Sequence, residues 1–260
     1  MEKSKSKFIL LGLFCALGLF ITSCSVWEDP WLTPDSTNGG ANTIVEQPAE
    51  TKAKPDAVGD IVLSDGTAVA KENASKMSSA QKAAAVAVIF YTSGNRYLKN
   101  KIIGVGLNIG SELKWGLKGA EACSTFCKTY INEIKSGTDG YNNTYFIKEN
   151  VTDYSEENYP ALYFCTSYSA AGFTKDWYMP ARYEMEELRE NIESVSTAFT
   201  ALGKTLPTWS HGWTSTHDSS DHDSVIQCNK VYIVWAAFSG SNNCDKYFDP
   251  LSAFPVHEFN

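Results

Sequence analysis

Positive charge is scarce in these 260 residues: 22 Lys and Arg stand against 30 Asp and Glu, a formal net charge of −8. Nucleic acid rewards clustered Lys and Arg against phosphate, so this balance argues against that partner, and it is equally poor for holding an acidic polysaccharide. Long apolar runs are missing too. The run from Phe8 to Ile21 spans roughly 14 residues, whereas a membrane-spanning helix needs about 20. No internal repeat is visible, which leaves one large domain or two small ones within this length.

What the N-terminus does contain is an export signal. Lys3, Lys5 and Lys7 form a basic region ahead of the apolar run. Ile21-Thr22-Ser23-Cys24 follows. A branched aliphatic residue, two small residues and a cysteine resemble the lipobox of bacterial lipoproteins. That resemblance implies cleavage before Cys24, diacylation of its thiol and Cys24 as the first mature residue. The plainer alternative is a secretory signal cut nearby with Cys24 incidental. Ser25 replaces the Asp that would retain such a lipoprotein in the inner membrane, so the expected address is the outer membrane, facing the surface. Two or three acyl chains anchor stably where one is marginal. The leader takes three lysines and Glu2 with it, so the mature chain moves from −8 to about −10.

Residues 24–58 read as the lipidated cysteine and a tether. Pro30, Pro34, Pro48, Pro55 and Gly39-Gly40 sit among many Thr, Ser, Asn, Glu and Lys. Little apolar surface is available there to offset the entropy of ordering.

Residues 59–260 carry the folded domain. Ile61 and Leu63 alternate with polar positions before Asp65-Gly66, which predicts a hairpin. Ser78-Ser79 can cap a short helix through Lys82. Ala83 to Tyr91 is a β-prone run predicted to be buried on both faces, and Lys101 to Asn108 is a second strand. Gly119 to Ile134 is predicted as an amphipathic helix, with Ala122, Phe126, Tyr130 and Ile134 on one stripe and Cys123 and Cys127 beside it. Asp139-Gly140 ends the loop after it. Tyr159 to Ala170 is a shorter helix with Pro160 near its start.

The strongest periodicity lies in Asp176 to Leu202. Met185, Leu188, Ile192, Val195, Phe199 and Leu202 recur three and four apart, with Glu184, Glu186, Glu187, Arg189, Glu190 and Glu193 on the other side. Pro180 suits the first turn, and Trp177 and Tyr178 can cover it. Leu206 to Ser224 is an aperiodic loop with a short strand near Gly212 to Ser215. Lys230 to Phe238 is a strand, Gly240 to Asn243 a turn, Cys244 to Phe248 a weaker strand, and Phe254 to Phe259 the last one. Helices in the middle and strands at both ends predict an α+β domain whose first and last strands pair.

Four stretches match a known pattern in order. Asp176-Trp177-Tyr178-Met179-Pro180 with Glu184 and Leu188 resembles a DW-(R/Y)-LP-(S/T)-x-x-E-L signature. Gly212 to Thr216 is similar to a YWSST strand, Gly59 to Thr67 to an opening GDIVLxDGT, and Phe254 to Phe259 to a closing VRPVRxF. Together they resemble the C-terminal domain of the Lcl collagen-like adhesin and related Fib-succ-major-like surface lipoproteins. That family is similar to the formylglycine-generating-enzyme branch of the C-type lectin-like fold. The resemblance implies two or three helices on a small mixed or antiparallel sheet, with paired terminal strands. The chain departs from it at Met179, which conserves volume; at Ala181, where Ser or Thr would cap the helix; and at Pro255 to Glu258, which lacks the family's arginines and puts arginine-dependent binding in doubt.

Catalytic constellations are not evident. The formylglycine enzyme holds copper with a closely spaced cysteine pair, and Cys228 and Cys244 lie sixteen positions apart. No calcium-lectin string occurs. No cofactor and no enzymatic activity are therefore expected. Trp209, His211, Trp213, His217, Asp218, Asp221, His222 and Asp223 form the candidate binding loop. Its imidazoles and carboxylates suit zinc chemically, but their spacing fits no metal motif, and a solvated polar loop is the plain alternative. Trp209, Trp213, Tyr232 and Trp235 offer stacking faces or core. Cys228 with Cys244 is the candidate disulfide; Cys123 and Cys127 suit either a metal or small buried packing. The expected function is a lipid-anchored surface protein recognising a host or matrix protein or a glycan. The alternatives are a structural envelope lipoprotein acting through assembly and a metal-dependent enzyme using the His/Asp loop.

Overall fold

A computed structural model describes residues 47–260, except 99, 118, 120, 122–128, 131, 209–210, 219–229, 236–240 and 246–249. The signal segment with Cys24, and most of the helix predicted for Gly119 to Ile134, therefore lie outside the described residues.

Two sheets share the chain. The first joins β1 (Thr51–Lys52), β3 (Ala68–Val69), β2 (Ile61–Leu63), β4 (Ala85–Tyr91), β5 (Ile103–Gly106) and β11 (Val256–Glu258) in that spatial order, every pair antiparallel. The hairpin at Asp65-Gly66 forms as predicted, with Gly66 at φ 87° and Asp65 accepting from the Thr67 backbone N–H and hydroxyl. β4 is buried on both faces: Val88 and Phe90 join one apolar cluster, Ala87 and Ile89 another. The short helix α1 (Ser79–Ala84) is capped by Ser78, with Gln81 completing a capping box.

The second sheet orders β6 (Gly110–Leu113), β10 (Leu251–Ala253), β7 (His211–His217), β8 (Lys230–Trp235) and β9 (Ser241–Asp245). Only β10 and β7 run parallel among these pairs. Helices α2 (Gly140–Asn150) and α3 (Pro160–Ser167) lie over it, with Ile147, Val151, Leu162 and Cys165 packed among Trp115, Trp213 and Ile233.

The predicted long helix is two: α4 (Arg182–Glu190) and α5 (Ile192–Ala201), joined at Asn191. Met185, Leu188, Val195, Phe199 and Leu202 are buried as the periodicity requires, against Val88, Phe90 and Val234. α4 thus packs on strands of both sheets, and this stretch organises the domain.

Several expectations change. The first and last strands occupy one sheet but opposite edges; β11 pairs with β5, not with β1. The closing segment also divides: β10 belongs to the second sheet and β11 to the first, with Phe254 and Pro255 between them. Pro255 has no N–H to donate to a ladder, which suits a change of sheet, and its carbonyl accepts from Gly106. The tether predicted to reach Val58 holds structure within residues 47–58: Ala49 is buried and exchanges hydrogen bonds with the Gln81 side chain at 2.9 and 2.8 Å. Strand β9 begins at Ser241, where a turn is predicted. Helix α2, strands β1, β6 and β10 and a 3-10 helix at Lys71–Lys76 have no counterpart in the sequence reading. Two extensive sheets replace the single small sheet implied by the resemblance.

Candidate functional site

The Asp176–Pro180 motif is held on every side. Trp177 is fully buried and its indole N–H donates to the Phe173 carbonyl at 2.8 Å. Tyr178 exchanges backbone hydrogen bonds with Val256 at 3.0 Å, so the motif lies along the outer edge of β11. From the other side α2 reaches in. The Thr144 hydroxyl donates to the Met179 carbonyl and accepts from its N–H, and the Tyr145 hydroxyl donates to the Trp177 carbonyl. Asp139 caps α2 by accepting from the Asn142 N–H at 3.0 Å.

The Gly212–Thr216 strand supplies what Ala181 cannot. The Thr216 hydroxyl accepts from the Arg182 N–H at 2.9 Å and donates to the Ser136 carbonyl at 2.8 Å. Ser215 N–H donates to the Pro180 carbonyl. Glu184 completes the cap from within the helix, accepting from the Ala181 N–H at 2.8 Å. The missing cap at Ala181 is therefore replaced in tertiary structure rather than lost.

Between the motif, β11 and the start of α2 opens a cleft of about 510 Å³, lined by Lys101, Asp139, Tyr141, Asn142, Asp176, Tyr178, His257 and Glu258. Asp176 takes a left-handed backbone, φ 63°, and accepts from the Tyr141 hydroxyl at 3.3 Å. The exposed Tyr141 ring stacks on Tyr145 and meets Tyr178 edge-on. His257 packs among Phe173, Trp177 and Phe259, and burial pulls its imidazole below the ordinary value.

Beneath the cleft lies a charged cluster. Lys101 Nζ is 2.9 Å from Glu184 Oε1 and 2.6 Å from Glu258 Oε1, and the Tyr178 hydroxyl approaches both carboxylates at 3.5 Å. Glu184 is completely buried, although periodicity groups it with the polar face of the helix. Burial pushes its carboxyl up to about 7, against the opposing pull of Lys101 and the Ala181 N–H. Burial alone would lower Lys101; the Glu184 and Glu258 carboxylates outweigh it and hold the ammonium above its ordinary range. Gly140 belongs here for lack of a Cβ, which would fall 2.5 Å from both the Ala181 nitrogen and Glu184 Oε2.

The predicted binding loop is placed differently. His211, Trp213, His217 and Asp218 lie on or beside β7. Trp213 is core, with its indole N–H donating to the Leu113 carbonyl at 2.6 Å. His217 and Asp218 are buried, and His217 Nδ1 lies 2.9 Å from the Asp218 carbonyl. Trp209, Asp221, His222, Asp223 and Cys228 fall outside the described residues, as do Cys123 and Cys127. The Cys244 backbone pairs with Val231. Among the described residues, no group of three or more His, Cys, Asp or Glu is placed to hold a metal ion, and no helix is long and apolar enough to cross a membrane. Lys101, Tyr141, His257 and Glu258 were not singled out from the sequence. The readable signal was the Asp176–Glu184 motif itself, which contributes three of the residues at or beneath the cleft.

No protein-family profile matches the sequence, nor does any curated protein. Its fold is similar to the solved structure of a fimbrial protein from Bacteroides ovatus ATCC 8483, with a TM-score of 0.51 and 15% identity. The match covers 77% of this chain and 48% of the other, so the chain spans about half of that protein's length.

Proposed function

We propose that this chain is a lipid-anchored cell-surface protein whose domain performs non-catalytic recognition of a protein or glycan. The observation that carries the reading is the cleft built by the Asp176–Glu184 motif, β11 and the start of α2. A rigid scaffold that presents aromatic and charged side chains around an open cleft is the usual form of a binding site. The lipobox-like Ile21 to Cys24 supports the anchor. The shared fold with a fimbrial protein supports the surface setting. The four ordered motifs support a divergent C-type lectin-like domain; the opposite-edge placement of its terminal strands argues for a departure within that class.

Metabolic labelling with palmitate tests the anchor: Cys24→Ser should abolish incorporation. Adhesion of intact cells to matrix proteins and glycan arrays tests recognition. Binding no greater than that of cells carrying Tyr141→Ala with Asp176→Asn would overturn the role assigned to the cleft.

A further inference from the structure

We propose that the cleft binds a primary ammonium or guanidinium group, presented by a lysine or arginine side chain of a protein partner. The inference rests on the recognition reading above and names the chemistry of its ligand.

The charge count around the cleft is unequal. Among the described residues of the lining Lys101 is the sole lysine or arginine, and it is already shared between Glu184 and Glu258. Burial pulls the His257 imidazole below its ordinary value, which disfavours a compensating charge there. Asp139 is occupied as the cap of α2. Setting it aside, Glu258, Asp176 and a Glu184 carboxyl whose value of about 7 leaves it partly charged at neutral pH still face one ammonium. Glu184 is fully buried, and Glu258 is 30% exposed, so this excess negative charge lies where water screens poorly. A cation entering the cleft meets the half-buried Glu258 with a stronger attraction than at open surface, and the exposed Asp176 stands beside it. The Tyr141 ring, 37% exposed and stacked on Tyr145, adds an aromatic face of the kind that attracts cations. A neutral sugar leaves the charge uncompensated, and an acidic one is repelled by it and by a chain of net charge −8. The cleft, about 510 Å³ and open to solvent, has room for a side chain with its flanking backbone rather than a bare ammonium alone.

Calorimetry on the full chain in detergent, at low salt, tests this with a glycine pentapeptide carrying one central lysine. The probe's Nε-acetylated form, 1,5-diaminopentane and lactose serve as comparisons. The lysine peptide should bind, and acetylation should weaken it about 10-fold or more, as loss of a desolvated charge pair requires. Asp176→Asn, at an exposed position that does not endanger folding, should weaken it several-fold, and Tyr141→Ala likewise. Equal binding of the acetylated peptide, or an unchanged affinity in Asp176→Asn, would overturn the proposal. Tighter binding of lactose would do the same, and diaminopentane matching the peptide would overturn the assignment to a protein side chain. If the peptide gives no heat while cells still adhere to matrix proteins, the cation assignment fails and the recognition reading stands.

Discussion

Two of the places where this protein buries polar groups follow different rules. In β7, Thr214, Ser215 and Thr216 are buried, yet these groups are neutral and are built into the surrounding hydrogen-bond network. Trp115 donates to the Thr214 carbonyl, Ser215 to the Pro180 carbonyl, and Thr216 serves both Arg182 and Ser136. Around Lys101 the groups are charged, and two carboxylates share one ammonium. The neutral strand is closed upon itself and stabilises the fold. The charged cluster keeps an excess of one sign beneath an open cleft, and such an excess is where a ligand or a proton finds a place.

The comparison can be tested in order of expected effect. Lys101→Met leaves Glu184 buried without its cation and should cost about 3–5 kcal/mol of stability, read by urea denaturation. A loss well under this range would mean that the cluster is less desolvated than its burial implies. Trp177→Ala removes a fully buried ring from the cluster of Val62, Ile89 and Phe259 and should cost about 3–5 kcal/mol, with no change in pH dependence. Thr216→Val keeps shape but loses the acceptor for Arg182 N–H and the donor to Ser136, an expected cost of about 1–2 kcal/mol without effect on peptide binding.

Glu184 offers a contrast in pH. Its folded value of about 7 lies above the ordinary carboxyl value, so the folded state holds this proton more tightly than the unfolded chain. Its contribution to stability is therefore full below about 4.5 and is lost as pH rises through about 7. Burial sets it first; Lys101 before β5 and the Ala181 N–H pull against it, Glu258 on β11 adds to the rise, and the Tyr178 hydroxyl faces the carboxyl at 3.5 Å. Glu184→Gln should flatten the pH–stability profile between about pH 4.5 and 7; an unaltered profile would assign the slope elsewhere. The smallest effect is expected from Asp176→Asn. Asn tolerates the left-handed backbone and the site is exposed, so stability should move by less than about 0.5 kcal/mol while peptide affinity falls.

Periodicity located the apolar stripe of α4 and α5, the double burial of β4 and the Asp65-Gly66 hairpin. Each is a local pattern with one structural solution. It missed α2, because the residues that helix buries are Gly140, Asn143, Thr144 and Ile147, mostly polar or small. Asp139 was a usable capping signal there, but Asp-Gly also reads as a turn. Asn191 interrupts a helix whose apolar stripe continues through the break, so the stripe alone showed no boundary. The candidate loop was chosen for its His and Asp content. Composition cannot reveal that His217 and Asp218 become buried beside a central strand.

By itself, the sequence determined the acidic balance, the buried strands and the amphipathic stretch, since these depend on composition or on neighbours a few residues apart. The cleft was decided only in three dimensions. Lys101 lies 83 positions before Glu184, with Glu258 further on still, and the three meet because β11 docks on β5 while α4 packs beneath. Periodicity sets Glu184 on a polar face; the tertiary structure buries that one residue of it, and burial is what turns an ordinary helical carboxylate into part of a site.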